Sequence, residues 1–254
     1  MRLMDGDITG KAERFSRLRK LQNIVDGSFL FRLASFFIRY LLGIPAMFLL
    51  GKLVYHLRIK GRHNFRDIKG AMIAANHCQF IEPGFAMMIS SPRKIMCGAS
   101  EKNVTRISIG WLTRLLGAFG IPNENPLSIA SYIKEILRRG LLILFYPEGK
   151  LSWRSQTPGP FSEGFFLFAM LNNVPVLPLT EVLHERPIRR ILPWWPPRTT
   201  FVLGAPVYPD HFKHPGLSRR KQIHLMSEHV RSVIIDTIKN EGGCETLPER
   251  RGPN

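Results

Sequence analysis

Apolar positions fall into two regimes along the chain. From Phe29 to Leu57 they are dense, interrupted by Arg32 and Arg39, with Gly43 and Pro45 near the middle. A membrane-spanning helix needs about 20 apolar residues with few charges. The uninterrupted run from Tyr40 to Gly51 is shorter, and an arginine at the centre of a span is costly. The pattern therefore predicts two short helices, broken near Gly43–Pro45 and lying in one leaflet, with a single tilted span as the competing reading.

After Gly61 the period changes. Short apolar runs at Ala71–Ala75, Arg93–Ala99, Leu141–Tyr146, Val174–Leu179 and Thr199–Leu203 read as buried strands. Between them lie helical patterns. Ile129, Tyr132, Ile133, Ile136 and Leu137 share one face, Phe161–Leu171 is mostly apolar, and Ile223, Met226, Val230, Val233, Ile234 and Ile238 mark a closing helix. Strands alternating with helices predict an α/β domain with a mixed, largely buried sheet flanked by helices, preceded by an N-terminal membrane-associating helical segment. The expected organisation is a basic, membrane-associating segment over residues 1–56, an α/β domain over 57–240 and a loose, Gly-, Pro- and charge-rich tail over 241–254.

Charge narrows the partners. The chain has 36 Lys and Arg against 19 Asp and Glu, a net charge of +17. A surplus of that size calls for an anionic partner, nucleic acid or anionic lipid. No RNP-like aromatic strand, zinc-ligand spacing or helix-turn-helix pattern supports nucleic acid, and the apolar Phe29–Leu57 segment speaks for lipid. Lys11, Arg14, Arg17, Arg19 and Lys20 precede that segment, where they can meet anionic headgroups at the cytoplasmic face of a membrane; they also place the first apolar run too late for a cleavable signal peptide. Cys78, Cys97 and Cys244 form no C-x2-C pair, so neither a metal site nor a disulfide framework is expected.

The chemistry concentrates at strand exits. Asn76-His77-Cys78-Gln79-Phe80-Ile81-Glu82-Pro83 follows the Ala71–Ala75 strand. Histidine is the natural base near neutral pH, and a carboxylate that accepts from its other ring nitrogen fixes the tautomer and stabilises the imidazolium. Glu82 comes five positions after His77 and can meet it if the chain turns there. A satisfied histidine beside an unrelated carboxylate is the competing explanation. Phe145-Tyr146-Pro147-Glu148-Gly149-Lys150-Leu151-Ser152 leaves a second strand, and Asn173-Val174-Pro175-Val176-Leu177-Pro178-Leu179 contains a third. Each fragment alone is ordinary.

In this order and spacing, the blocks resemble those of the glycerolipid acyltransferase family, which includes the enzymes that convert lysophosphatidic acid to phosphatidic acid. Asn76-His77 with Glu82 looks like the family's N-H-x4-D block. Gly117-Ala118-Phe119-Gly120-Ile121-Pro122 approximates G-x-I-P, Tyr146 to Ser152 matches F-P-E-G-T-R-S, and Val174 to Pro178 matches V-P-I-x-P. The resemblance implies an O-acyltransferase with no cofactor. His77, oriented by Glu82, would deprotonate the hydroxyl of a lysolipid acceptor, which attacks a thioester of acyl carrier protein or coenzyme A. Asn76, Glu148, Gly149, Lys150, Ser152 and Arg154 would contact substrate.

Three departures bear on the acceptor. Glu82 is one methylene longer than the family's Asp. Asn123, Glu124 and Asn125 stand where an arginine is expected, and Lys150-Leu151 replaces Thr-Arg. The family's arginines are its expected grip on phosphate, because a guanidinium matches phosphate bidentately. Lys150 can act only as a point charge, and Arg154 offers a fork from a shifted position. A hydroxylated lipid without a phosphomonoester, or a non-catalytic lipid-binding role, stands as the alternative.

Overall fold

The computed structural model describes residues 27–122 and 125–243. The basic stretch around Lys11–Lys20, Asn123 with Glu124, and the tail from Cys244 onward lie outside the described residues.

Strands β1 (Arg58–Lys60), β2 (Ala71–Ala75), β3 (Ile95–Ser100), β4 (Ala118–Ile121), β5 (Leu142–Phe145), β6 (Val176–His184) and β7 (Arg198–Leu203) form one sheet. Its order is β1-β7-β6-β2-β5-β3-β4. Neighbours run parallel except β6 and β7, which are antiparallel, so the sheet is mixed as the sequence predicts. All five residues of β2 are buried, which explains its unbroken apolar run: a central strand covered on both faces has no solvent side to alternate with.

Helices α2 (Glu82–Ser90), α3 (Glu101–Thr105), α4 (Gly110–Leu115), α5 (Ala130–Arg138), α6 (Gly164–Asn172) and α7 (Arg219–Asn240) cover the sheet. On one face Met72, Ala74, Ile143 and Phe145 pack with Ile133 and Ile136 of α5, Phe166 of α6, and Met226, Val230 and Ile234 of α7. On the other, Ile73, Ala75, Leu142 and Leu144 pack with Phe85, Met87 and Ile89 of α2.

The segment before the sheet corrects the expected break. One helix, α1, runs uninterrupted from Phe29 to Tyr55. Pro45 has no N–H and would crowd the preceding turn of an ordinary α-helix. Here the turn before it is widened: the N–H of Ile44 bonds to the carbonyl of Arg39, five residues back, so the helix passes the proline without separating. Gly43 is in ordinary helical geometry, and its missing side chain lets Met87 and Leu116 approach. The helix stops at His56, whose left-handed backbone (φ 45°) turns its N–H back to Gly51.

The two arginines of α1 part ways: Arg32, near its start, is exposed, whereas Arg39 is not. Arg39 is turned inward and buried, donating to the carbonyls of Ile95 (3.2 Å) and Leu116 (3.4 Å). Ser35 donates to Leu115 and Tyr40 to Pro92. The opposite side of the helix exposes Leu30, Leu33, Phe37, Leu41, Leu42, Phe48, Leu49 and Leu53. The central arginine that weakens the apolar run thus belongs to the protein interface, and between exposed Arg32 near one end and exposed Lys52 near the other the outward side keeps an apolar stripe.

Candidate active site

β2 and β5 are adjacent and parallel, so their carboxyl ends open side by side, where a buried sheet delivers side chains to a crevice. Beyond β2 the chain turns into α2, with Pro83 in the helix's first turn, where its fixed φ and missing N–H are tolerated. That turn folds Glu82 back on His77. Nδ1 of His77 lies 2.6 Å from Oε2 of Glu82, while Oε1 accepts the backbone N–H groups of Cys78 and Gln79, 2.5 Å each. Glu82 is buried and the His77 side chain keeps about a fifth of its surface (21%) exposed. Nε2 of His77 has no hydrogen-bond partner among the described residues, so the ring is gripped at one nitrogen and open at the other.

Burial pushes the Glu82 carboxyl up to about 7, against the opposing pull of its hydrogen bonds. Burial lowers the His77 imidazole, an effect that the nearby carboxyl groups, Glu148 first, partly offset. A histidine kept neutral at rest, with a carboxylate on Nδ1, can take a proton at Nε2.

The exit of β5 supports the same histidine from below. Tyr146-Pro147-Glu148-Gly149 is a β-turn closed by the Gly149 N–H to the Tyr146 carbonyl (3.0 Å), with proline second and a positive-φ glycine (70°) fourth. Glu148 accepts the backbone N–H groups of His77 and Gly159, 3.0 Å each. The loop that follows lies along the β2 exit: Ser152 N–H donates to the His77 carbonyl and Arg154 N–H to that of Cys78, both 2.8 Å. The Tyr146 ring stacks on the imidazole at 4.0 Å.

Several residues expected at the substrate do other work. Asn76 is buried, and its amide closes on the backbone of Glu181, donating to the carbonyl (3.0 Å) and accepting the N–H (2.8 Å). It extends the β2–β6 ladder by one side-chain rung, directly before His77. Glu148 spends its oxygens on main-chain donors. Lys150 and Gly149 are exposed, and Ser152 sits half-buried with its N–H engaged. Arg154 is held at φ 55°, lies over the Trp153 ring at 5.3 Å, and reaches the carbonyls of Pro193 (3.4 Å) and Trp194 (3.5 Å). Arg154 therefore sits beside an exposed aromatic group that includes Phe80, Trp153 and Trp194.

Glu181 was not singled out in the sequence. It is fully buried in β6, where it accepts from the Gln79 amide (2.6 Å) and the Cys78 thiol (3.0 Å). Gln79 and Gln156 complete this polar layer; Gln79 also reaches Thr199 (3.2 Å), and Gln156 bonds the Leu183 N–H (2.8 Å). Cys78, beside the catalytic candidate, is buried and its thiol is pushed well above the usual range by burial and then by Glu181, so it is no nucleophile. Cys78, Glu82 and Glu181 bring ligand-type atoms within 4.8 Å of one another, but these carboxylates are already engaged by N–H and thiol donors.

Comparison with known proteins gives the same picture from another direction. The family described as Acyltransferase matches residues 56–181. The chain is 33% identical over 75 residues to the chloroplastic 1-acyl-sn-glycerol-3-phosphate acyltransferase BAT2 of Brassica napus, covering 28% of this chain and 22% of that protein. It is 27% identical over 131 residues to the chloroplastic 1-acyl-sn-glycerol-3-phosphate acyltransferase LPAT1 of Arabidopsis thaliana, covering 50% and 36%. These matches span less than half of the relatives' own length. In three dimensions it resembles the 1-acyl-sn-glycerophosphate (LPA) acyltransferase PlsC of Thermotoga maritima, with a TM-score of 0.57, 16% identity and coverage of 78% and 79% of the two chains. The four ordered sequence blocks, the family match across β1 to β6 and the shared fold agree: the chain belongs to the glycerolipid acyltransferase family.

Proposed function

We propose that this chain transfers a fatty acyl group from a thioester, of coenzyme A or acyl carrier protein, to the hydroxyl of a lysophospholipid such as 1-acylglycerol-3-phosphate. The observation that carries it is the His77 geometry: Nδ1 held at 2.6 Å by buried Glu82, and Nε2 open at the edge of the sheet. Nε2 accepts the proton of the acceptor hydroxyl as its oxygen attacks the thioester carbonyl. The tetrahedral intermediate collapses to an ester, and the imidazolium returns the proton to the departing thiolate. No covalent acyl-enzyme is needed, and the buried Cys78 supplies none.

The protein works at a lipid surface on this reading. The outward stripe of α1, the exposed Phe80, Trp153, Ile191 and Trp194, and the +17 net charge supply apolar anchors and attraction to anionic headgroups. The carboxyl end of α1 adjoins the site loops, since Arg186 donates to the Val54 carbonyl at 2.7 Å. A second reading, acylation of a lipid hydroxyl without a phosphomonoester, is favoured by the residues expected to grip a phosphate: Lys150 is exposed with no hydrogen bond or ion pair among the described residues, and the Arg154 guanidinium is turned to main-chain carbonyls. The deciding experiment supplies purified protein with long-chain acyl-CoA or acyl carrier protein and a panel of lysolipids with and without phosphomonoester. Acylation of 1-acylglycerol-3-phosphate above the others supports the first reading, preference for acceptors lacking the phosphomonoester supports the second, and no transfer to any acceptor rejects both.

A further inference from the structure

Glu82 and Glu181 are both sealed from solvent, with ligand-type oxygens within 4.8 Å of each other. Among the described residues no Lys or Arg side chain hydrogen-bonds either carboxylate. Two carboxylates this close, in a low-dielectric interior and without a cation, cannot both be ionised; the pair retains one proton and titrates as a unit. Their donors say where it sits. Glu82 receives three N–H groups, two from the backbone and one from the imidazole. Glu181 receives a side-chain amide and a thiol, which stabilise an anion less.

We propose that Glu181 is the proton-bearing member of this pair, donating its carboxyl hydrogen to Glu82, and that it thereby positions Glu82 as a single oriented anion against His77. The proposal rests on His77 acting as the base. Other groups around the pair fit this assignment. Cys78 after β2, Tyr146 and Glu148 after β5, Cys97 of β3 and Tyr55 of α1 are the titratable groups facing it besides His77, and all are neutral or negative. Thr199 of β7 and Gln79 are uncharged. Nothing there neutralises a second negative charge. Burial, reinforced by Glu82, holds the Glu181 carboxyl well above the usual carboxylate range. The Asn76 amide, bonded to both main-chain groups of Glu181, fixes where this acid stands. When His77 takes the substrate proton, the chain of groups reads imidazolium, carboxylate, carboxylic acid, with the new positive charge matched by one negative charge.

The test reads the proton directly, without turnover. Infrared spectra of the full chain near neutral pH are expected to show the carbonyl stretch of a buried protonated carboxyl that disappears in Glu181→Gln. Absence of that band in the parent, or its survival in Glu181→Gln, places the proton elsewhere and overturns the proposal whether or not the protein turns over. Kinetics supply the second readout. Glu181→Ala is expected to lower kcat by at least about tenfold, the usual scale for losing the partner that orients a functional group. Glu181→Gln, which keeps one donor and one acceptor, is expected to recover most of that loss and to leave the acid limb of kcat/KM in place. An acid limb that moves down by about half a unit or more in Glu181→Gln shows that a negative charge at Glu181 was supporting the imidazolium, which also overturns the proposal.

Discussion

The ring of Tyr146 lies over the imidazole of His77, with 4.0 Å between centroids and 20° between planes. Tyr146 opens the turn that carries Glu148 to the His77 N–H, so one turn grips both the ring and the main chain of the histidine. With Glu82 on Nδ1, the imidazole is held in its plane and across it. The Tyr146 hydroxyl is buried without a partner, and burial raises it well above the usual phenol range. An unpaired buried hydroxyl costs on the order of 1–3 kcal/mol. Tyr146→Phe is therefore expected to keep kcat and to raise stability by about 1 kcal/mol in denaturant titration, whereas Tyr146→Ala should lose both stability and rate. A destabilised Phe variant would mean the hydroxyl has a partner.

Replacing His77 with Ala removes the base and leaves the fold's layers intact. Acyl transfer should fall by roughly 10²–10⁴-fold, the range for positioned general bases, while co-sedimentation with anionic vesicles stays unchanged. Near-normal turnover in this variant would assign the base to another group.

Glu82 couples function to stability with opposite signs. Its ordinary value of 4.5 rises to about 7 in the fold, so between those values the folded state binds more protons than the unfolded chain. Stability then falls as pH rises through that window, by up to about 3 kcal/mol for a shift of this size. Glu82→Gln is expected to remove the Glu82 share of this pH dependence, leaving that of buried Glu181, and to be more stable than the parent near pH 8, an advantage that vanishes near pH 4. The same variant should cost orders of magnitude in kcat, because the amide no longer supports the imidazolium. Glu82→Asp keeps the charge and should retain measurable turnover. Equal activity in the Gln and Asp variants would remove Glu82 from the mechanism.

The outward stripe of α1 can be tested without disturbing its inner side. Deleting the whole helix would strip Met47 from Gly84 and Leu57's neighbour Gly51 from Phe85, so a truncation confounds binding with folding. Leu42→Asp with Leu49→Asp changes exposed positions only. Vesicle binding should weaken by at least about tenfold, since two charges enter the side proposed to meet lipid, at roughly 2.5–3.5 kcal/mol each in the least favourable setting, while the melting temperature holds. Unchanged sedimentation would move the anchor to the Phe80, Trp153 and Trp194 group.

Much of this was legible in the linear sequence where the signal is local. The strands β2 and β5 stand out because wholly buried strands carry unbroken apolar runs, and β3 and β7 are marked by shorter apolar stretches, Ile95–Cys97 and Phe201–Leu203. His77 and Glu82 are five residues apart, and Pro83 marks the turn that joins them. Strand β1 escaped notice because Arg58-Ile59-Lys60 is an exposed edge with no apolar alternation. β6 continues five residues beyond the expected Leu179 because Thr180 and Glu181 read as polar, although both are buried. Glu181 was invisible for a further reason: its partners Asn76, Cys78 and Gln79 lie more than 100 residues earlier, and only the sheet order brings them together. The uninterrupted α1 was misread because Pro45 signals a break unless the widened turn before it is known.

The inward-turned Arg39 rivets α1 to the sheet layer, and Arg186 pins the end of the helix beside the site loops. Helix and catalytic domain must then travel as one body. Wherever the apolar stripe settles in a bilayer, His77 is set at a fixed height from it, like a mark on a gauge. On the proposed function, the acceptor hydroxyls within reach would be those that float at that height, and depth in the membrane would select substrate before any side chain does.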